Sequence, residues 1–78
     1  MNTYKIETLR NSAQEPTWII TDTFSETAEY PEDILDKYEY PGDVRRTTYS
    51  DGAVESTWTY TDEDYNLSRV SMIAYQQN

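Results

Sequence analysis

The fold of this chain is decided by the stretch VRRTTYSDGAVESTWTYT, residues 44–61. Two runs rich in Thr, Tyr, Val and Trp, residue types that favour β-strands, flank the pair Asp51-Gly52. An Asp-Gly pair between alternating runs is typical of a two-residue hairpin turn, because both central positions need positive φ angles. The stretch therefore predicts two antiparallel strands, Val44–Ser50 and Ala53–Thr61.

A two-residue turn also determines which side chains lie opposite each other. The opposed pairs are then Tyr49 with Val54, Thr47 with Ser56, and Arg45 with Trp58. Tyr60 continues this inward side of the hairpin. The outward side, which suits solvent, carries Thr48, Glu55, Thr57 and Thr59.

The remaining elements follow from hydrophobic periodicity. Alternation predicts strands at Thr3–Leu9 and Thr17–Phe24, and a last strand at Leu67–Gln76 with apolar residues on both faces. Residues 28–39 read as a short helix that the pair Pro41-Gly42 ends. The last strand is expected at the centre of the sheet or under the helix, since both of its faces are partly apolar.

These elements predict one domain, residues 1–78, of the α+β class. Its order is ββαβββ, a small antiparallel sheet of about five strands with one short helix. The exposed hairpin edge leaves both a monomer and an edge-paired homodimer open.

Composition argues against an enzyme. The chain has no Cys and no His, which removes the thiolate nucleophile and the commonest general base and metal ligand. Its two glycines lie in turns, so no glycine-rich phosphate loop exists. Residues 62–66 begin like a calcium loop, but Leu67 and Ile73 stand where Gly and Glu are required. We expect no catalytic residues, no metal and no cofactor.

The charge is strongly acidic and unevenly distributed. Fifteen acidic residues against six basic ones give a net charge of −9, and residues 22–43 hold eight of the acids with one base, Lys37. Such a field repels nucleic acid and anionic membranes and attracts basic protein surfaces. No apolar run reaches the length of a membrane span, and the stretch Met1–Lys5 lacks the apolar character of a signal peptide. A cytoplasmic protein is therefore expected.

The acids of the predicted helix follow helical spacing. Glu29, Glu32, Asp33 and Asp36 stand at i, i+3, i+4 and i+7, opposite the apolar residues Ile34, Leu35 and Tyr38. One interpretation is a surface that imitates a phosphate backbone and docks into a basic groove. The other is an ordinary solvated helix face. The sequence leaves both interpretations open.

Tyrosines accompany these acids, and Tyr suits interfaces because it combines a large rigid ring with a polar tip. Acids interleaved with Tyr fit a partner rich in Arg, which can form ion pairs and cation–π contacts. The predicted partner-binding residues are Glu26, Glu29, Glu32, Asp33, Asp36, Glu39, Asp43, Tyr30 and Tyr40.

A length of 78 residues, the acidic stretch Asp22–Asp43, the lack of Cys and the compact α+β pattern resemble the small acidic inhibitors of bacteriophages and mobile elements, the anti-CRISPR and anti-restriction proteins. The resemblance implies a partner that binds nucleic acid, such as a CRISPR or restriction complex, blocked at its nucleic-acid site. It implies action in the host cell cytoplasm if the protein is phage-encoded. It assigns no site residues, because no motif is shared.

A second functional hypothesis is a general protein-interaction or immunity-type regulatory module. Such a module would use its sheet edge or aromatic surface, and its binding would tolerate high salt. The charge of residues 22–43 favours the inhibitor hypothesis.

Overall fold

A computed structural model describes residues 1–77 of the chain. Its elements are β1 (Asn2–Ser12), β2 (Ile19–Ala28), α1 (Pro31–Leu35), β3 (Asp43–Thr48), β4 (Val54–Thr61) and β5 (Leu67–Gln77). The strands form one antiparallel sheet in the order β2-β1-β5-β4-β3. The predicted five-strand sheet with one short helix is confirmed. Because sheet predominates, the α+β label is approximate.

The core lies on the one side of the sheet that α1 covers. Val70, Met72 and Ala74 of β5 are buried there, and Ile34 and Leu35 of α1 pack against the same cluster. As predicted, β5 is the central strand and lies under the helix. The opposite side of the sheet, which we call the open face, has no element packed on it among the described residues. An antiparallel sheet tolerates this arrangement because its side chains alternate between the two faces.

The hairpin turn differs from the prediction by one residue. The loop contains three residues, since the Tyr49 N–H donates to the Ala53 carbonyl at 2.8 Å and Gly52 has a φ of +90°. The Asp51 carboxylate accepts from the Ala53 N–H at 3.0 Å and supports the longer turn. A three-residue loop with its last residue at positive φ is the next commonest hairpin after the two-residue forms.

This single residue turns β3 over, because side chains alternate with a period of two. Thr48 lies opposite Val54, Arg46 opposite Ser56 and Val44 opposite Trp58. The predicted sides of β4 are correct, but the predicted partners on β3 are wrong. Arg46 therefore faces the helix, and Arg45 lies on the open face.

The helix is also shorter than the predicted 28–39. β2 continues to Ala28, and α1 begins at Pro31 and ends at Leu35. Tyr38 leaves the helix to bring its ring within 6.0 Å of the Phe24 ring, and Tyr40 packs edge-on against Trp58 at 5.0 Å. Covering the core with these two rings overrides the helical propensity of residues 36–39.

The two turn glycines differ in the space around them. Both have positive φ, but a Cβ added to Gly42 would lie 2.0 Å from the Thr59 carbonyl oxygen, whereas one added to Gly52 would meet nothing within 4 Å. Gly42→Ala should therefore lower the free energy of unfolding by roughly 2–5 kcal/mol, and Gly52→Ala by about 1–2 kcal/mol. Urea unfolding followed by tryptophan fluorescence measures both; equal losses would contradict the close contact at Gly42.

Candidate functional site

The candidate site is the acidic segment, residues 22–43, which runs from the edge strand β2 through α1 to the start of β3. The structure places its nine predicted binding residues in three different settings. Three carboxylates are engaged within the chain, two residues belong to the core or to the open face, and the side chains of the other four make no hydrogen bond or ion pair within the described part of the chain.

Asp36 is engaged by an arginine from β3. The Arg46 Nη2 atom lies 2.7 Å from Asp36 Oδ1, and its Nε donates to the buried Ser56 Oγ at 2.8 Å. Arg46, a residue of β3, therefore connects the end of α1 to β4 and neutralises Asp36. This contact requires the three-residue hairpin loop, because a two-residue loop would have turned Arg46 to the open face.

Two further acids support the local structure. Glu26 forms an ion pair with Lys37, which ties β2 to the residues after α1. The Asp33 carboxylate accepts from the Tyr30 backbone N–H at 3.2 Å, at the start of α1. A carboxylate in the first turn of a helix is favourable because it satisfies a free N–H and meets the positive end of the helix dipole.

Tyr40 and Asp43 lie apart from the other predicted residues. Tyr40 is half-buried between Trp58 and Arg10, whose guanidinium carbon lies 5.3 Å from the centre of the Tyr40 ring. Its ring covers the core. Asp43 begins β3 opposite Thr59, on the open face. The structure therefore does not bring these two residues together with the acids around α1.

The remaining predicted residues form a group that we call the free acidic group: Glu29, Glu32, Glu39 and Tyr30. Tyr30 is 58% exposed. None of the three carboxylates makes a hydrogen bond or an ion pair with another residue in the described part of the chain. All four residues flank or belong to α1. The three carboxylates can therefore meet a partner without first breaking an internal hydrogen bond or ion pair.

The open face is balanced in charge, in contrast to the acidic segment. Its strand residues include three bases, Lys5, Arg45 and Arg69, and three acids, Glu7, Asp43 and Glu55. The negative excess of the protein therefore lies around α1 and in the loops and turns. A basic partner is attracted to the helix side more than to the open face.

The start of β2 carries an apolar patch that the sequence did not predict. Trp18, Ile19 and Ile20 are 40%, 49% and 53% exposed. Strict alternation in the predicted strand Thr17–Phe24 places Trp18, Ile20 and Phe24 on one face. A bulge between Thr8 and Leu9 of β1 changes the β2 register there, so that Ile20 lies opposite Leu9. The signal available in the sequence was three consecutive large apolar residues, which alternation cannot bury together.

No cluster of three or more acids suitable for holding a metal ion occurs within residues 1–77.

Over the same described range, no helix is long and apolar enough to cross a membrane.

Comparison with known proteins gives no relative for this chain: no family model, no curated protein and no solved structure matches it.

The open face carries two tyrosines with altered acidity. The Tyr49 hydroxyl donates to Glu55 Oε1 at 2.5 Å, and this hydrogen bond raises the pKa of Tyr49 above 10.0. Burial raises the pKa of Tyr75, with a further contribution from the negative charge of Glu7. In both cases the neutral phenol is favoured in the folded state. The stability that results is present below the unfolded pKa of about 10 and is lost as the pH rises through the folded pKa.

Replacing Glu55 should lower the raised pKa of Tyr49. Glu55→Gln removes the charge beside Tyr49, so the pKa of Tyr49 should fall towards 10.0. Titration of the phenolate absorbance, with Tyr49→Phe to identify the transition, measures the change. Glu63→Gln, in the turn before β5, serves as the matched control. An unchanged titration in Glu55→Gln would show that the hydrogen bond is not formed in solution.

Proposed function

We propose that this protein is an acidic binding protein that inhibits a basic, nucleic-acid-binding protein or complex of the kind that anti-CRISPR and anti-restriction proteins block. The observation that carries the proposal is the free acidic group. Three unpaired carboxylates and an exposed tyrosine surround α1, on the side of the sheet that holds the negative excess. A surface of this kind attracts a basic groove and competes there with nucleic acid.

The acids proposed to imitate nucleic acid do not form the single row along a helix that their spacing in the sequence predicts. α1 has only five residues, so Glu29 precedes the helix and Glu39 follows it. Asp36 is already neutralised by Arg46. The carboxylates offered to the partner are therefore spread along the segment. Arg side chains of the partner would pair with them and stack on Tyr30.

An attraction of this type has measurable consequences. Charge complementarity raises the association rate more than it slows dissociation, and salt screens it over about 8–10 Å at ordinary ionic strength. The inhibitor itself would make no direct contact with nucleic acid and would act in the cytoplasm, where its target works. Added DNA or RNA should displace it from the target.

The free acidic group can be tested without disturbing the fold. The triple variant Glu29→Lys, Glu32→Lys, Glu39→Lys changes only side chains that make no internal ion pair. It should lose capture of basic, nucleic-acid-binding proteins from a host lysate, while the wild type captures them at about 0.05 M salt and releases them at about 0.5 M salt or on addition of DNA.

The matched control reverses the same amount of charge elsewhere. The control is the triple variant Glu15→Lys, Glu63→Lys, Asp64→Lys. Its three positions lie in loops and turns outside the acidic segment, and it has the same net charge as the first variant. The control should retain most of the capture, and circular dichroism should be unchanged in both variants. Equal loss in the two variants would mean that only net charge matters, and capture that survives in the first variant would exclude the acidic segment as the binding surface.

The apolar patch on β2 favours a second candidate function, a regulatory protein-interaction module that binds through its sheet edge. Binding of that kind depends on buried apolar area and on backbone hydrogen bonds, so it tolerates high salt. Capture that persists at about 0.5 M salt and is lost on truncation of Trp18 or Ile20 would favour this candidate.

A further inference from the structure

The edge strand β2 is unusually open to pairing. It has ten residues and is bonded on one side only, to β1. Its free side presents a row of backbone N–H and C=O groups, which is a template for another strand. The exposed side chains of Ile19 and Ile20, with Trp18 just before them, lie at one end of this edge. Large apolar side chains beside unpaired backbone are typical of sites where a peptide adds to a sheet.

β2 lacks two of the common protections of an edge strand, proline and basic side chains. It contains no Pro and no Lys or Arg, and its one irregularity is the register shift opposite Thr8 and Leu9. The other edge strand, β3, has six residues and carries Arg45 and Arg46. Short length and basic side chains are common means of blocking an edge. The two edges of the same sheet therefore differ in how readily they can accept a strand.

The charges on β2 indicate what such a strand would contain. Asp22 and Glu26 are the only charged residues of β2, and both point to the helix side, as their positions opposite Thr8 and Tyr4 show. The open-face side of β2 carries Ile20 and small hydroxyl side chains. Side chains directly opposite each other on neighbouring strands interact, and opposite charges are favoured there. A matching strand would present Lys or Arg on the helix side, near Asp22, and β-branched apolar residues on the open-face side, near Ile20.

We propose that an extended segment of the basic partner adds to β2 as a sixth strand, with alternating basic and β-branched apolar side chains. This inference rests on the proposed function for the basic character of the partner. A second copy of this chain fits the edge less well, because β2 offers no base to meet Asp22 or Glu26 and each copy carries a charge of −9.

The edge strand also adjoins the free acidic group. β2 ends at Ala28, directly before Glu29 and Tyr30 of the free acidic group. A strand added along β2 would therefore bring its own flanking residues towards those carboxylates. Backbone pairing at the edge and ion pairing at the free acidic group would then reinforce each other in one complex.

The test uses synthetic peptides as the probe. The first has the length of β2 and alternates Lys with Val; the second replaces Lys by Glu; the third keeps the Lys–Val sequence but carries N-methyl groups on alternate backbone nitrogens. The full-length protein is titrated with each, and hydrogen exchange of its backbone amides is followed by NMR. The Lys–Val peptide should slow exchange of β2 amides, whereas the Glu–Val and N-methylated peptides should not.

Conservative variants separate the edge from the rest of the surface. The double variant Ile19→Thr, Ile20→Thr keeps β-branched residues in the strand and should weaken binding of the Lys–Val peptide by about tenfold. Val44→Thr on the other edge strand, where Val44 is 58% exposed, is the matched control and should bind as the wild type does. Circular dichroism verifies that all variants are folded.

The outcomes divide cleanly. Slowed exchange on β2 that depends on Lys and on free peptide N–H groups supports the sixth strand. Binding that tolerates N-methylation overturns it, as does protection found on β3 instead. Concentration-dependent protection of β2 without any peptide also overturns it, because it would indicate a second copy as the occupant.

If β2 does not respond while the free acidic group still captures a basic partner, only the sixth strand fails. If the Lys–Val peptide protects β2 but reversal of Glu29, Glu32 and Glu39 leaves capture intact, the free acidic group fails instead.

Discussion

The structure depends on the pairing of its first and last strands. β1 and β5 form ten opposed residue pairs, from Thr3 with Gln77 to Ser12 with Ser68, at the centre of the sheet. The buried side of this pair holds Ile6, Val70 and Met72, on which α1 packs. Closing so long a loop costs conformational entropy, which the burial of this central apolar strip offsets. Without it β2 would have no sheet to join, and α1 would have nothing to cover.

A core of this size needs aromatic side chains from outside the regular elements, and this need shapes the acidic segment. Tyr38 and Tyr40 leave the helix to cover Phe24 and Trp58. The helix is therefore cut to five residues, and the acids around it are dispersed. Packing of the core thus determines how the acidic side chains are spread over the surface, although none of the acids is part of the core.

The sequence predicted the features that depend on alternation and local signals. The inward side of β4 and the central place of β5 follow from which residues are apolar, and no distant contact is needed to find them. The register of the hairpin could not be predicted, because Asp51-Gly52 fits loops of two and of three residues. Because the predicted register was wrong by one residue, it placed Arg45 and not Arg46 on the helix side. The ion pair in which Arg46 neutralises Asp36 could therefore not be predicted. The exposed patch at Trp18 was missed for a similar reason, since the bulge opposite Thr8 and Leu9 depends on tertiary pairing.

The arrangement of charge gives the two faces of the sheet different capacities. On the open face the three acids and three bases of the strands balance, so a charged partner gains little there. The helix side concentrates acids on a segment that begins within an edge strand. Asp22 and Glu26 belong to β2, while Glu29 and Glu32 follow it along the chain. Under the proposed function, a basic partner drawn by the field of this segment would arrive beside the one long unpaired edge of the described sheet. Attraction over a distance and hydrogen bonding at contact would then act at the same place, because one stretch of sequence carries both the acids and the free edge.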